Sequence, residues 1–272
     1  MNKRPLILIS NDDGYRAQGI NTLAEIAREF GDVVVVAPED TRSGYSLSVT
    51  FYDVLNVRER SERSERSERS EAKGSLRVYS CSGTPGDCVK LGLDTFCERT
   101  PDLVLGGINH GDNSSVNAHY SGTVGIVLEG CMKGIPSIAF SHQDHKPDID
   151  FEPMKPYIRM VIDMVLRNGL PKGTCLNVNA PLHPPYKGIR ACSMADGSWG
   201  KEIEERESPR GYRYYWLVGH YTCLDKRADS DQRCLEEGYV TITPLQVDLT
   251  NYDYIKQLNL ELNKNKNNNT KD

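Results

Sequence analysis

No stretch of this chain approaches the ~18 consecutive apolar residues of a membrane-spanning helix, which excludes a helical membrane protein. Behind the basic start at residues 1–4, the apolar run covers only residues 6–9. That is too short for a secretory signal, so the expected compartment is the cytoplasm. A basic excess is missing too: 33 Lys and Arg stand against 38 Asp and Glu, a net charge of −5. Such a balance gives no general affinity for a nucleic-acid duplex, and an anionic ligand has to be met locally, by a cation or by backbone amides. The eight cysteines include no Cys-x-x-Cys pair and no Cys/His cluster at zinc spacing, so neither a disulfide nor a structural zinc is expected. Phe and Trp are few, five and two, yet apolar residues make up 38% of 272, enough to bury a core without staples.

What is present begins with a β-α-β pattern over residues 5–38. Residues 6–9 are continuously apolar, Ile20, Leu23, Ala27 and Phe30 follow at helical spacing, and Gly31 stops the helix before the β-branched run 33–38. Strands buried on both faces read this way in parallel sheets, so a doubly wound sheet is the inference. Further strands of this type are expected at 103–105 and at 137–140, the latter behind a helix over about 123–133. Ligands bind beyond the carboxyl ends of such strands, which singles out the loops 10–19, 38–50, 106–123 and 141–147.

Two segments are of low complexity. A Ser-Glu-Arg triplet repeats through residues 58–71, with its Arg and Glu cancelling and no apolar face to dock it, and is read as an excursion of a hairpin-like arm between about 48 and 80. Residues 264–272 read as a polar tail. Residues 150–262 alternate Pro-rich stretches with Tyr-rich strands near 212–218 and 238–244. These suggest antiparallel strands and a subunit contact rather than more parallel core.

The most informative string is Ser10-Asn11-Asp12-Asp13-Gly14, directly after the first buried strand. Two adjacent carboxylates cannot both ionise at low cost unless something positive sits between them. Mg²⁺ or Mn²⁺ fits, since each takes one or two carboxylates plus other oxygen ligands. The competing structural role is an Asx turn with a helix cap. Two more loops at the same edge favour the metal: residues 38–44 bring the Ser43 hydroxyl, and Gly106-Gly107-Ile108-Asn109-His110-Gly111-Asp112-Asn113 brings carboxamides in a glycine-rich bend. Downstream, Tyr120-Ser121-Gly122-Thr123-Val124-Gly125 opens an apolar helix. Its free amides and positive dipole end, flanked by hydroxyls, suit a phosphate, although Ser121 or Thr123 as a simple cap explains the motif equally. A metal and an oxyanion cradle at one edge point to phosphoester hydrolysis.

In this light the chain resembles the SurE nucleotidases. The resemblance runs through Ile9-Ser10-Asn11-Asp12-Asp13-Gly14, Val36-Ala37-Pro38 with Ser43-Gly44, Gly83-Thr84-Pro85-Gly86-Asp87, Pro101-Asp102, Gly107-Ile108-Asn109-His110-Gly111, Tyr120-Ser121-Gly122-Thr123-Val124-Gly125 and Gly134-Ile135-Pro136. It implies an α/β fold, a Rossmann-like doubly wound parallel sheet with a C-terminal β-rich arm for oligomerisation. Residues 1–150 would form the catalytic core and 151–263 the remainder with the arm. It further implies hydrolysis of nucleoside 5′- or 3′-monophosphates with one divalent cation, Mg²⁺ or Mn²⁺, per subunit. Asp12, Asp13, Ser43 and Asn109 correspond to the metal ligands. Asn113, Ser121, Gly122 and Thr123 correspond to the phosphate site, and Asn11 is counted among the substrate contacts.

The expected mechanism is in-line attack by water on a phosphoryl group polarised by the cation at Asp12 and Asp13. Amides and hydroxyls of residues 121–123 would stabilise the equatorial oxygens, and Asp12 is also a candidate nucleophile or base. Any of His110, His119, His142 and His145 is a candidate to protonate the leaving oxygen, beside an ordinary structural role. The alternative of another class is a non-catalytic regulatory module that holds a metal-nucleotide. An NAD-dependent oxidoreductase is disfavoured, because no Gly-x-Gly-x-x-Gly follows the first strand. Strands outside the β-α-β pattern would leave exposed edges, so a homodimer or tetramer is expected, with contact through about 212–243.

Overall fold

The computed structural model describes residues 4–60 and 73–268, with side chains to residue 264. In chain order its elements are β1 (Leu6–Ser10), α1 (Gln18–Ala27), β2 (Asp32–Pro38), β3 (Val57–Glu59), β4 (Leu76–Cys81), α2 (Pro85–Leu91) and β5 (Leu103–His110). Then follow α3 (Gly122–Met132), β6 (Ser137–His142), α4 (Lys155–Asn168), β7 (Thr174–Ala180), β8 (Ile189–Ala191) and β9 (Gly197–Gly200). The chain ends with β10 (Ile203–Glu207), β11 (Arg213–Leu217), β12 (His220–Cys223), α5 (Asp231–Glu236), β13 (Val240–Gln246) and α6 (Tyr252–Asn268).

Nine of these strands form one sheet in the order β3-β4-β2-β1-β5-β6-β7-β13-β8, and the run from β4 to β7 is parallel throughout. The apolar runs of β1 and β2 are buried on both faces. One cluster packs Ile7, Ile9, Leu105 and Phe140 against α1 and α4, and the other packs Leu8, Val34, Val104 and Ala139 against α2 and α3. This is the doubly wound α/β architecture the sequence implies. The order reverses between β1 and β5, and a crevice opens there beyond the carboxyl ends.

Three sequence-based assignments need correction. Residues 76–81, read as one limb of an arm, form the parallel core strand β4, with only the short β3 antiparallel at its edge. The polar alternation of Thr174–Ala180 concealed β7, which is parallel to β6 and paired on both edges. The stretch 238–244, assigned to the exposed arm, carries β13, which is antiparallel to β7 and parallel to β8 inside the sheet. The arm is therefore narrower: two short antiparallel pairs, β9 with β12 and β10 with β11. Most of the Ser-Glu-Arg repeat and the last residues of the tail lie outside the described residues, while residues 264–268 close helix α6. No helix among the described residues is long and apolar enough to cross a membrane.

Candidate active site

Asp12 leaves the end of β1 and is only 3% exposed. The Thr123 hydroxyl donates to its Oδ1 at 2.5 Å, and the Thr123 amide donates to the carboxyl as well. Gly122, the first residue of α3, allows this approach, since a Cβ there would lie 2.8 Å from the Asp12 Cβ. The carboxyl thus sits against the positive end of α3. Burial, reinforced by the neighbouring charge of Asp13, nonetheless lifts its pKa from 3.8 to about 6 against the opposing hydrogen bonds of Thr123. Among the described residues no Lys or Arg forms an ion pair with it. Asp13 is more open, and its Oδ2 lies 3.1 Å from His110 Nδ1.

The loops are laced to one another. Arg42 N donates to the Asp12 carbonyl at 2.6 Å, Tyr15 N donates to Pro38 O at 3.0 Å, and Ser46 N donates to Tyr120 O at 3.1 Å. The Gly83-Thr84-Pro85-Gly86-Asp87 string has a mechanical role here. Thr84 caps α2 reciprocally with Asp87, its hydroxyl donates to Ser48 O at 2.6 Å, and Asp87 accepts from Thr50 N and Oγ1. Burial opposes ionisation of Asp87, yet the hydrogen bonds from Thr50 and Thr84 hold its carboxyl below the usual value. This latch fixes the loop that carries Ser43.

On the far side, Asn113 is immobilised by buried amides. Its N–H donates to Asn179 Oδ1 at 2.8 Å, its Nδ2 donates to Ser141 Oγ at 2.8 Å, and its carbonyl accepts from Asn177 Nδ2 at 2.7 Å. Gly107 needs its positive φ and bare Cα, because a Cβ would strike Phe140 O at 2.1 Å. Asp231, at the start of α5, accepts from Ser115 N and Ala195 N and so buttresses the 112–117 loop from behind. Burial, first among its influences, raises the pKa of this carboxyl.

A cleft of about 330 Å³ results, lined by Asp12, Ser43, Asn109, Asn113 and Ser121 from the expected set. Asp13 reaches its wall through His110. Three expected contacts are placed differently. Asn11 is fully buried with Nδ2 on Gly14 O at 2.9 Å, shaping the turn. Thr123 is fully buried with its donors committed to Asp12, and Gly122 serves as the spacer beneath that carboxyl. Ser121 caps α3 by accepting from Val124 N at 3.1 Å. Of the histidines, His110 and His145 line the cleft, His142 is buried against the Tyr186 hydroxyl, and His119 lines a separate apolar cavity. Burial lowers the pKa of His142.

Sequence reasoning missed Asn117, Tyr120 and Trp199, which also line the cleft, and the Asn177, Asn179 and Ser141 support. The Asn-Val-Asn alternation inside an otherwise apolar segment was the available signal for that support.

The residues present fit a hard cation. Among the described residues no group of three or more His, Cys, Asp or Glu is placed to hold a metal. The candidate donors are instead two carboxylates, a hydroxyl and a carboxamide, an all-oxygen set, and among the described residues the buried Asp12 carboxyl has no countercharge.

Comparison with known proteins gives a consistent result. The family described as "Survival protein SurE" matches residues 7–201. A protein named 5′-nucleotidase SurE from Phocaeicola vulgatus is 47% identical over 264 residues, spanning 96% of this chain and 99% of that one. Its counterpart in Bacteroides thetaiotaomicron is 46% identical over 258 residues, spanning 94% and 96%. The crystal structure of the SurE protein from Aquifex aeolicus superposes with a TM-score of 0.76 at 36% identity, covering 93% of this chain and 98% of that one.

Proposed function

This chain belongs to the SurE family, and on that premise we propose that it is a divalent-metal-dependent nucleotidase, hydrolysing nucleoside 5′- or 3′-monophosphates. The relatives above carry the name 5′-nucleotidase over almost their full length, which supports the reaction class. The observation that carries the metal-dependent reading is the Asp12 carboxyl, buried beside Asp13 with no cationic partner among the described residues, in a cleft where the candidate donors are all oxygens. Asp12, Asp13, Ser43 and Asn109 would hold one Mg²⁺ or Mn²⁺ per subunit. When bound, the ion supplies Lewis-acid polarisation of the phosphoryl group and activation of water.

The protein's own contribution is preorganisation. Thr123 fixes the orientation of Asp12 through hydroxyl and amide, and His110 fixes that of Asp13. Asn113 is held by the Asn177 and Asn179 pair, and Ser121 faces the cleft at the start of α3, where the dipole favours a phosphate. The test is phosphate release from a panel of nucleoside 5′- and 3′-monophosphates, with Mn²⁺ or Mg²⁺ and after chelation. Activity indifferent to chelation sinks the metal assignment, and failure on every nucleotide sinks the reaction.

A cytoplasmic homodimer, or a tetramer built from two dimers, completes the proposal. Ile203, Tyr212, Tyr215, Trp216 and Leu217 are exposed on or beside the β10–β11 pair, Leu217 at 78%, which supports a subunit contact there.

A further inference from the structure

Trp199 is the one large side chain that the arm contributes to the cleft among the described residues. It stands on β9, yet its indole Nε1 donates to Asn117 Oδ1 at 2.9 Å, across 82 positions of chain. Asn117 also accepts, through its carbonyl, the N–H of Tyr120 at 3.0 Å, and Tyr120 lines the same cleft. One short turn therefore anchors two aromatic side chains immediately before Ser121 and the start of α3. The indole is held from behind as well. The Tyr221 ring meets it edge-on at 5.9 Å between centroids, and a Cβ on Gly219 would lie 3.0 Å from its Cε3. Despite these constraints Trp199 remains 38% exposed and Tyr120 59% exposed.

A rigid, half-exposed indole beside a polar phosphate-sized site is unneeded for phosphate chemistry. A planar ligand does need it. We propose that Trp199, with Tyr120, forms the stacking surface for the base of the nucleoside monophosphate. The proposal rests on the nucleotidase reading and deepens it by assigning the base subsite. Stacking on an aromatic face is tolerant of base identity, because every base has a π-face, and it strengthens with ring area. Broad acceptance of bases with a preference for purines follows. A further consequence is that the arm takes part in substrate selection: the β9–β12 pair delivers the indole and its backing tyrosine together.

The test compares adenosine 5′-monophosphate with ribose 5-phosphate, which offers the same phosphoester without a base. Trp199→Ala is expected to lower kcat/KM on the nucleotide roughly tenfold more than on ribose 5-phosphate, chiefly through KM, and Trp199→Phe to restore most of the difference. Equal loss on both substrates shows that the indole merely holds the arm in place and overturns the proposal, as does no loss on either. A second measurement is independent of turnover. The chain has two tryptophans, so in a Trp216→Phe protein the fluorescence reports Trp199 alone. Adenosine 5′-monophosphate should quench it, and ribose 5-phosphate should not. Absence of selective quenching overturns the base subsite, whereas quenching without turnover overturns the nucleotidase reading and leaves the subsite standing.

Discussion

The carboxyl edge of the sheet and the C-terminal arm are made of similar residue types, polar and aromatic, but are built in opposite ways. At the edge, Asp12, Asn113, Ser114, Thr123 and Asp231 are buried, and most of their polar atoms have a named partner. In the arm, every residue of β10 and β11 is exposed, and among the described residues the pairing is a two-stranded ribbon with no third strand. Isolated two-stranded ribbons are marginal in water. The edge is ordered by buried hydrogen bonds on a rigid sheet, whereas the arm leaves its apolar side chains exposed.

The sharpest way to break that comparison is at Asp13. Asp13→Asn should reduce metal-dependent phosphate release by roughly a hundredfold or more, since altering even the partners of metal ligands costs 10- to 100-fold. Its melting temperature should stay within a few degrees, because the side chain is at the cleft rather than in the core. Near wild-type turnover in Mn²⁺ removes Asp13 from the site.

Asp12 tests the buried side of the comparison through pH. Its folded pKa is raised by burial from 3.8 to about 6, so its contribution to stability is present below about pH 4 and is lost as pH rises through 6. In the metal-free protein, Asp12→Asn should therefore be more stable than wild type at pH 7, by up to about 3 kcal/mol, with the gap closing near pH 4. Denaturant titrations in a chelator at the two pH values check this. An Asn variant that is less stable at pH 7 contradicts the uncompensated carboxyl.

The arm should respond differently. Replacing residues 203–217 by a short Gly-Ser linker should lower the oligomeric state in light scattering while leaving the cooperative unfolding of the sheet intact. An unchanged oligomer moves the subunit contact elsewhere, with the exposed apolar side chains of α6, among them Leu258 and Leu262, as the next surface to alter. The smallest effect is expected from deleting residues 61–71. That segment contains no apolar residue, and chain length at such a position costs little entropy. The cut must spare Arg60, whose guanidinium bonds Ser80 Oγ at 2.9 Å and Glu39 at 2.8 Å. A loss of more than a few degrees in melting temperature would give the repeat a structural role.

Much of the edge was legible in the sequence because its signals are local. An apolar run buried on both faces, followed at once by Asn-Asp-Asp-Gly, can only place those carboxylates at a strand end. The Ser121 cap reads similarly from Ser-Gly-Thr before an apolar helix. What the sequence left unread depends on partners that a motif does not name. Both donors of Thr123 are engaged by Asp12, 111 positions away, and the Asn11 amide donates to Gly14 O within its own turn. The cysteines, scattered in the chain, come together as the neighbouring thiols of Cys81 with Cys88, Cys131 with Cys175 and Cys192 with Cys234, which no spacing announces.

Periodicity, strand-end motifs and the order of the strings that resemble the family were enough by themselves to specify a doubly wound sheet and to name Asp12, Asp13, Ser43, Asn109 and Ser121 as one edge. Those features are set by backbone geometry over a few residues, so a linear reading captures them. Only the tertiary structure decided that β7 and β13 extend the sheet, that Thr123 serves Asp12, and that Trp199 crosses from the arm to the cleft. Each of these depends on contacts between segments far apart in the chain, where burial and hydrogen-bond partners, and not local pattern, fix what a side chain does.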